Sequence, residues 1–481
     1  MDPRPLWDHQ REAIKAAEVI PDLGLFFEQG TGKTRTMIEI LRRRYAKAGR
    51  VMRTLIVAPP IVLYNWKSEF KMYSKVNPND IVILTKSGAR RKKDFIKAVG
   101  EDLSHNKIII TNYEAMQMND LYALILQWGV EVLVCDESQR VKNHESIRAR
   151  KLQVIGDGTQ FNYILTGTPI LNTPADIFMQ YRILDRGTIF GKNFYAFRGK
   201  YFEDANARRK GTQGYFPKWE CRPNAYADLQ SAMFTKGMRV LKADCLDLPP
   251  LVRQVVHVEL SPEQLRMYKE MHTDYITFVN SKREDNPAVV AQLAVTKMMR
   301  LQQIVSGFVK DENGAIHRLE CPRLTALKDL LDDLAPHHKI IVWAVFHENY
   351  RQIAEVCADL GLKYTELHGE ISAQQKRDNA ALFREDPYCR VMIANQAAGG
   401  VGVNLVEASY SIYYSKGYKL EDDLQSEARN HRGGSEIHEK VTRIDLVARG
   451  TSDELVNDAL ANKQNISEQI LNWRDGLCQF D

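Results

Sequence analysis

The sequence predicts an α/β protein made of two parallel-sheet lobes with helical insertions. Two observations carry that expectation. Short apolar, β-branched runs alternate with amphipathic helical patterns through residue 185, as expected of a parallel sheet covered on both faces. The same alternation resumes from about residue 321, and 481 residues exceed what one ordinary core supports.

Composition narrows the class. Hydrophobic residues make up 44% and charged residues 26%, which places the chain among folded rather than disordered proteins. The net charge of +5 is small for this length, so a nucleic-acid partner is allowed through a local patch but not required. No run approaches the roughly 20 apolar residues that a membrane span needs. The start, MDPRPLWDHQ, is acidic and has no apolar h-region of a signal peptide. The seven cysteines are odd in number and include no C-x-x-C pair, which argues against a disulfide framework and a zinc site. Cys135, within an apolar strand, reads as a buried free thiol. A reducing, cytoplasmic setting is expected.

The first lobe opens its chemistry at LGLFFEQGTGKTRTMIEILRRR, an apolar strand, a turn through Gly30 and Gly32, and a helical pattern with Met37, Ile38 and Leu41 on one face. Strand, glycine loop and helix in that order are the context of a phosphate-binding loop, the alternative being a glycine-rich turn with no ligand. Main-chain N–H groups close around phosphates, and the helix start adds its positive end. Lys33 would reach the β- and γ-phosphates and Thr34 would hold Mg²⁺. The G-x-x-x-x-G-K-[ST] pattern departs at its first position, where Phe27 stands in place of glycine. VEVLVCDESQR supplies a second strand that ends in Asp136 and Glu137. Ligands of open α/β sheets sit at the carboxyl ends of strands. There Asp136 would hold the metal and Glu137 would orient or deprotonate an attacking water. Further strands with polar tails follow in TLIVAPPIVLYNWKSEF, KIIITNYEAM and YILTGTPILNTPADIF.

The second lobe runs through HKIIVWAVF, HENYRQIAEVCADLG, KYTELHG and RVMIANQAAGGVGVNLVEASYSIYYS, and has no lysine-bearing phosphate loop. It reaches QSEARNHRGG, where a continuous helix would project Gln425, Arg429 and Arg432 together. Two adjacent guanidiniums repel unless an anion comes between them. The arrangement that satisfies both lobes is a cleft in which the first holds Mg·ATP and the second presses arginines on the γ-phosphate.

Taken in order, these segments resemble the ATPase core of helicase superfamily two and, within it, the Swi/Snf-type DNA translocases. WDHQREAI is similar to the adenine-sensing glutamine motif, with Gln10 in the reading position. EQGTGKT resembles motif I, LIVAPPIVLYNWKSEF motif Ia, TNYE the next DNA-contact motif, DESQ motif II and LTGTPILN motif III. RVLKADCLDLPPL and LSPEQLRMYKEM resemble the interlobe crossing and the helix after it. AGGVGVNL resembles motif V and QSEARNHRGG motif VI.

The resemblance implies two RecA-like lobes with the ATP site in the interlobe cleft. It implies ATP contacts by Gln10, Gly30, Thr31, Gly32, Lys33, Thr34 and Arg35, with Thr34 and Asp136 on Mg²⁺. Arg432 becomes the arginine finger and Arg429 its neighbour. Gln139, Thr166, Gly167, Thr168, Gly402 and Gln425 would couple nucleotide to DNA. Pro59, Trp66, Thr111, Asn112, Tyr113 and Gly400 would contact DNA. Three departures stand out. Gln139 replaces the usual histidine of motif II, Ala428 replaces a common acidic residue, and motif VI runs into GGSE without the Ile-Gly-Gln continuation. A glutamine amide keeps both a donor and an acceptor.

The expected division is a first lobe at 1–185, a helical protrusion and interlobe crossing at 186–250, a second-lobe protrusion at 251–320, and the second lobe at 321–481. The aromatic and basic residues of 186–238 suggest either a DNA-facing surface or a small satellite core. The chain begins almost at its glutamine motif and ends soon after motif VI. That suggests a minimal bacterial or phage enzyme, acting as a monomer in the cytoplasm, or one targeted by a protein partner. The function expected is DNA-stimulated ATP hydrolysis with translocation on duplex DNA, remodelling branched DNA or protein–DNA complexes by fork regression or branch migration. The alternatives are an RNA-dependent unwinding ATPase and a non-translocating ATP switch of a restriction or defence assembly.

Overall fold

The computed structural model describes residues 5–60, 62–85, 88–209, 215, 217–245, 247–281, 287–311, 313–397 and 404–471. These form two units. The first takes the described residues before 206, from 218 to 245, and beyond 462; the second takes the others.

Strands β1 (Leu23–Phe27), β2 (Thr54–Val57), β3 (Ile81–Leu84), β4 (Ile108–Thr111), β5 (Val132–Asp136) and β6 (Phe161–Leu165) belong to the first unit. So do the short hairpin β7 (Phe202–Asp204) and β8 (Trp219–Cys221), and β9 (Gly237–Val240). Seven of them make one sheet in the order β3-β4-β2-β5-β6-β1-β9, with parallel pairing throughout. Because side chains alternate across a strand, each strand feeds two cores. Leu133 and Cys135 enter one cluster with Trp128 and Phe178, while Val132 and Val134 enter the other with Met37 and Phe70. Burial pushes the Cys135 thiol up to about 12, as expected of an inert buried sulfur.

The second unit holds β10 (Leu251–Val258), the hairpin β11 (Phe308–Lys310) and β12 (Ile316–Arg318), then β13 (Ile340–Trp343), β14 (Lys363–Leu367), β15 (Cys389–Ala394), β16 (Tyr410–Tyr413) and β17 (Val441–Ala448). Its sheet is also parallel, in the order β10-β17-β16-β13-β15-β14. Ile340 and Val342 face one core, Ile341 and Trp343 the other. Two parallel α/β lobes are therefore present, as the sequence predicts.

Two boundaries differ from expectation. Among the described residues, 186–205 and 218–245 belong to the first unit and not to a separate protrusion. Phe190, Phe197, Tyr201, Phe202 and Phe234 are buried in the same cluster as Phe26 and Ile164, and β9 pairs with β1. These five of the aromatics that suggested a DNA-facing surface are core of the first unit. Tyr195 and Trp219 remain exposed, with Arg198 4.1 Å above the Trp219 ring. Residues 251–320 do contain the helices Pro262–Ser281 and Pro287–Val305, but they begin with β10, which pairs with β17 along all of Leu251–Val258. Among the described residues no helix is long and apolar enough to cross a membrane.

Candidate functional site

β5 and β6 end at one level, and β1 runs two residues past it to Phe27. Leu25 and Asp136 both lie opposite Leu165, and Val57 lies opposite Cys135. The loops that leave β1, β5 and β6 therefore converge at the carboxyl edge, where open α/β sheets bind ligands.

The loop after β1 turns into the helix Lys33–Ala48. Phe27, in place of the first glycine of the phosphate-loop pattern, is the last residue of the strand and fully buried. Gly32 has φ 84°, and a Cβ there would lie 2.4 Å from Gln10 Nε2, so only glycine fits. The Thr31 hydroxyl donates to the Glu28 carbonyl at 2.7 Å, and Lys33 Nζ donates to the carbonyls of Phe27 at 2.7 Å and Glu28 at 3.3 Å. Gln10 is buried against the loop. Its Oε1 accepts from Trp7 N–H at 2.9 Å and its Nε2 donates to Gly32 C=O at 3.3 Å. Arg35 stacks on the Tyr73 ring at 4.7 Å.

Asp136 ends β5 and is buried. Its Oδ2 accepts from the Trp66 indole N–H at 2.8 Å and its Oδ1 from the Glu137 N–H at 3.0 Å. Burial, and then the Glu137 carboxylate, raise its pKa from the ordinary aspartate value to about 6; the Trp66 bond and nearby Lys33 pull the other way. Glu137 takes the left-handed conformation at φ 53°, unusual for a residue with a Cβ. Its Oε2 accepts from Gln139 Nε2 at 2.7 Å. After β6, Thr166 Oγ1 accepts from Thr168 N–H at 3.0 Å. A Cβ on Gly167 would meet the Phe27 carbonyl at 3.2 Å, so this turn lies directly on the glycine loop.

The donors suit Mg·ATP. Hard oxygen ligands are at hand in the Asp136 carboxylate and the Thr34 hydroxyl, and a lysine and a helix start supply positive charge for phosphates. In the metal-free protein the Asp136 carboxylate is strained by burial. Its folded pKa exceeds the unfolded value of about 3.9, so its contribution to stability is full below about pH 4 and lost as pH rises through 6. The loss at pH 8 is at most about 3 kcal/mol. The melting temperature of Asp136→Asn relative to wild type, in EDTA, should therefore be higher at pH 8 than near pH 4, whatever the substitution costs in hydrogen bonds to Trp66 and Glu137 at both. A difference that is the same at both pH values would show that burial of the charge is not its cause.

In the second unit, Gln425 lies on the helix Leu420–Glu427 and its Nε2 donates to Glu421 Oε1 at 3.1 Å. The helix stops there. Ala428 is its cap, so Arg429 and Arg432 follow in turns and do not share a helical face with Gln425, which corrects the helical reading of this stretch. Arg429 is buried and its carbonyl accepts from Leu405 N–H at 3.0 Å, while Arg432 is half-buried. The helix itself is held from beneath. Arg443 bonds Asp423 at 2.8 Å and Glu427 at 3.0 Å and stacks on the Tyr413 ring at 3.9 Å.

Two family models match the chain. One for the SNF2-related domain covers residues 21–307, and one for the helicase conserved C-terminal domain covers residues 322–434. The chain belongs to the SNF2-related family. Its similar proteins include the CHD3-type chromatin-remodeling factor PICKLE of Arabidopsis thaliana, 24% identical over 92% of this chain and 32% of the relative. The human DNA annealing helicase and endonuclease ZRANB3 is 26% identical over 89% and 37%. An uncharacterized ATP-dependent helicase of Mycoplasma genitalium is 25% identical over 96% and 42%. The chain thus spans well under half of each of these relatives. The SWI2/SNF2 ATPase core of Sulfolobus solfataricus, solved with dsDNA, matches over 97% of this chain and 93% of that one, at 21% identity and a TM-score of 0.43.

Within the SNF2-related chain, the residues expected to touch DNA fall differently from those expected to touch nucleotide. Pro59, Trp66, Thr111 and Tyr113 are buried, so side-chain contact with DNA is corrected for all four: a side chain beneath the surface does not reach a phosphate. Asn112 is half-buried, its Oδ1 accepting from Ala115 N–H at 3.2 Å and Arg91 Nη1 at 2.9 Å. Gly400 and Gly402 lie outside the described residues. Sequence reasoning missed two neighbours of the SNF2-related loop. The His9 ring bonds the Thr31 carbonyl at 2.9 Å, and Glu28 Oε2 accepts from Lys242 N–H at 2.8 Å. His9 sits one residue before Gln10, which is the only signal the sequence offered for it.

Proposed function

We propose that this chain is a Mg²⁺-dependent ATP hydrolase, stimulated by duplex or branched DNA, that translocates on duplex DNA and remodels branched structures or protein–DNA complexes. The observation that carries this reading is the meeting of Lys33, Asp136, Glu137 and Gln139 with the Thr166–Thr168 turn at the carboxyl edge of one parallel sheet.

In this reading the main chain of Gly30 to Gly32 and the side chains of Lys33 and Thr34 take the triphosphate. Arg35 and Gln10 flank it, Gln10 exchanging its bond to Gly32 for the adenine. Mg²⁺, when bound by Thr34 and Asp136, neutralises charge on the phosphates. Glu137 orients the attacking water and accepts its proton. The Gln139 amide fixes the Glu137 carboxylate, and Arg432 with Arg429 stabilises charge on the γ-phosphate. DNA is the partner, the working form is a monomer, and a protein partner supplies any targeting.

The test is ATP turnover with Mg²⁺ at one low salt concentration, with duplex DNA, single-stranded DNA, a four-way junction or RNA as cofactor. Stimulation by duplex or junction DNA of tenfold or more is expected. Stimulation by RNA alone would replace the DNA motor with an RNA-dependent ATPase. No stimulation by any cofactor would leave an ATP switch that awaits a partner.

A further inference from the structure

Two side chains run inward from the segments that follow β2 and β4, and both end on the same residue. Trp66, on the helix Leu63–Tyr73, is 1% exposed and gives its indole N–H to Asp136 Oδ2 at 2.8 Å. Tyr113, at the start of the 3₁₀ turn Tyr113–Gln117, is fully buried and its hydroxyl donates to the Asp136 main-chain carbonyl at 2.7 Å. One bond fixes the carboxylate and the other fixes the peptide that carries it. The register explains the convergence. Val57 lies opposite both Thr111 and Cys135, so β2, β4 and β5 end side by side.

Neither bond is demanded by packing alone. The Trp66 ring lies against Phe70 with centroids 6.1 Å apart, and a phenylalanine would fill much of the same space. What tryptophan adds is a donor, and a buried indole N–H needs a partner. A carboxylate oxygen has two lone pairs, so Oδ2 can accept from Trp66 and still face a cation. The bond selects one carboxylate orientation, and a bonded partner behind a metal ligand sets the ligand's direction.

We propose that Trp66 and Tyr113 are positioning residues that tie the segments after β2 and β4 to Asp136, so that DNA held on those segments sets the carboxylate for Mg²⁺. The inference rests on the reading above, in which Asp136 holds the metal and DNA stimulates turnover, and on the resemblance of these two segments to DNA-contact motifs. Coupling of this kind is reciprocal: DNA tightens Mg·nucleotide binding by the factor by which Mg·nucleotide tightens DNA binding.

The test compares wild type with Trp66→Phe and Tyr113→Phe, each checked by thermal melting. The readouts are binding of a fluorescent ADP analogue in EDTA, the Mg²⁺ concentration at half-maximal tightening of that binding, and the ratio of turnover with duplex DNA to turnover without it. For Trp66→Phe, affinity in EDTA should stay within about twofold, because the bond that is lost goes to Asp136 and not to the glycine loop. The Mg²⁺ midpoint should rise about tenfold or more, and the stimulation ratio should fall severalfold. Tyr113→Phe should move both in the same direction by a smaller factor.

A folded Trp66→Phe with the wild-type midpoint and ratio overturns the inference. If Trp66→Phe does not fold, Tyr113→Phe decides, and its wild-type behaviour overturns the inference equally. A wild-type protein whose ADP binding ignores Mg²⁺ refutes the metal role of Asp136 itself, an outcome distinct from either variant result.

Discussion

Glu137→Gln should lower ATP turnover by at least about 100-fold while nucleotide binding and the melting temperature stay close to wild type. The substitution is nearly isosteric and its amide oxygen can still accept from Gln139 Nε2, now at 2.7 Å from the carboxylate. The strained left-handed backbone at φ 53° belongs to the turn after β5 and does not depend on the side-chain charge. What disappears is the proton acceptor that the proposed function places beside Asp136. A 100-fold loss corresponds to about 2.7 kcal/mol in the barrier, within the range for a general base. Steady-state turnover and ADP binding by the same preparation check it. Turnover within threefold of wild type would remove Glu137 from the reaction and leave Asp136 as the only acidic group assigned to it. The removal of one negative charge next to buried Asp136 should also ease that carboxylate's ionisation, since Glu137 is the second-largest cause of its raised pKa.

The first unit's part of the candidate site was legible because its signals are local. Parallel strands buried on both faces are continuous apolar runs, so LGLFF and VLVCD could be read as strands directly. The glycine turn and the acidic pair stand at their carboxyl ends, where the sheet itself brings them together. The segments that failed depend on distant partners. GMRV is a four-residue edge strand with Met238 and Arg239 half-buried, and its identity comes from pairing with β1 across more than 200 residues of chain. LVRQVVHV carries several exposed residues because it is also an edge, and β17 lies far downstream. Trp66 shows the same limit at a single side chain. Its place within a DNA-contact motif suggested an outward role, but the helix Leu63–Tyr73 buries Leu63, Trp66 and Phe70 on one stripe. The motif marks a segment, and the direction of each side chain within it is set by the packing face. In QSEARNHRGG no glycine appears until Gly433, so nothing local announced that the helix would stop at Glu427.

Arg432→Ala should reduce DNA-stimulated turnover by about 10³-fold, with ATP binding largely kept. The separation of effects follows from the division of the chain. The glycine loop, Lys33, Thr34, Asp136 and Glu137 belong to the first unit, and Arg432 belongs to the second. Losing Arg432 therefore leaves the groups assigned to phosphate and metal intact. Arg429 is a poorer probe of the same idea, because its side chain is buried and truncation there also leaves a cavity in the second unit. Arg432 is half-buried, its carbonyl accepting from Ser435 N–H at 2.9 Å, and an alanine keeps that main-chain bond. Arg432→Lys discriminates further. It keeps the charge but loses the planar fork that meets two phosphate oxygens at once. If the guanidinium geometry matters, lysine should recover only a small part of the activity; if charge alone matters, it should recover most of it. Binding of a fluorescent ATP analogue and single-turnover hydrolysis, with and without duplex DNA, separate the steps. Normal hydrolysis by Arg432→Ala would remove Arg432 from the chemistry, and the positive charge on the γ-phosphate would have to come from Arg429, Lys33 and the helix start.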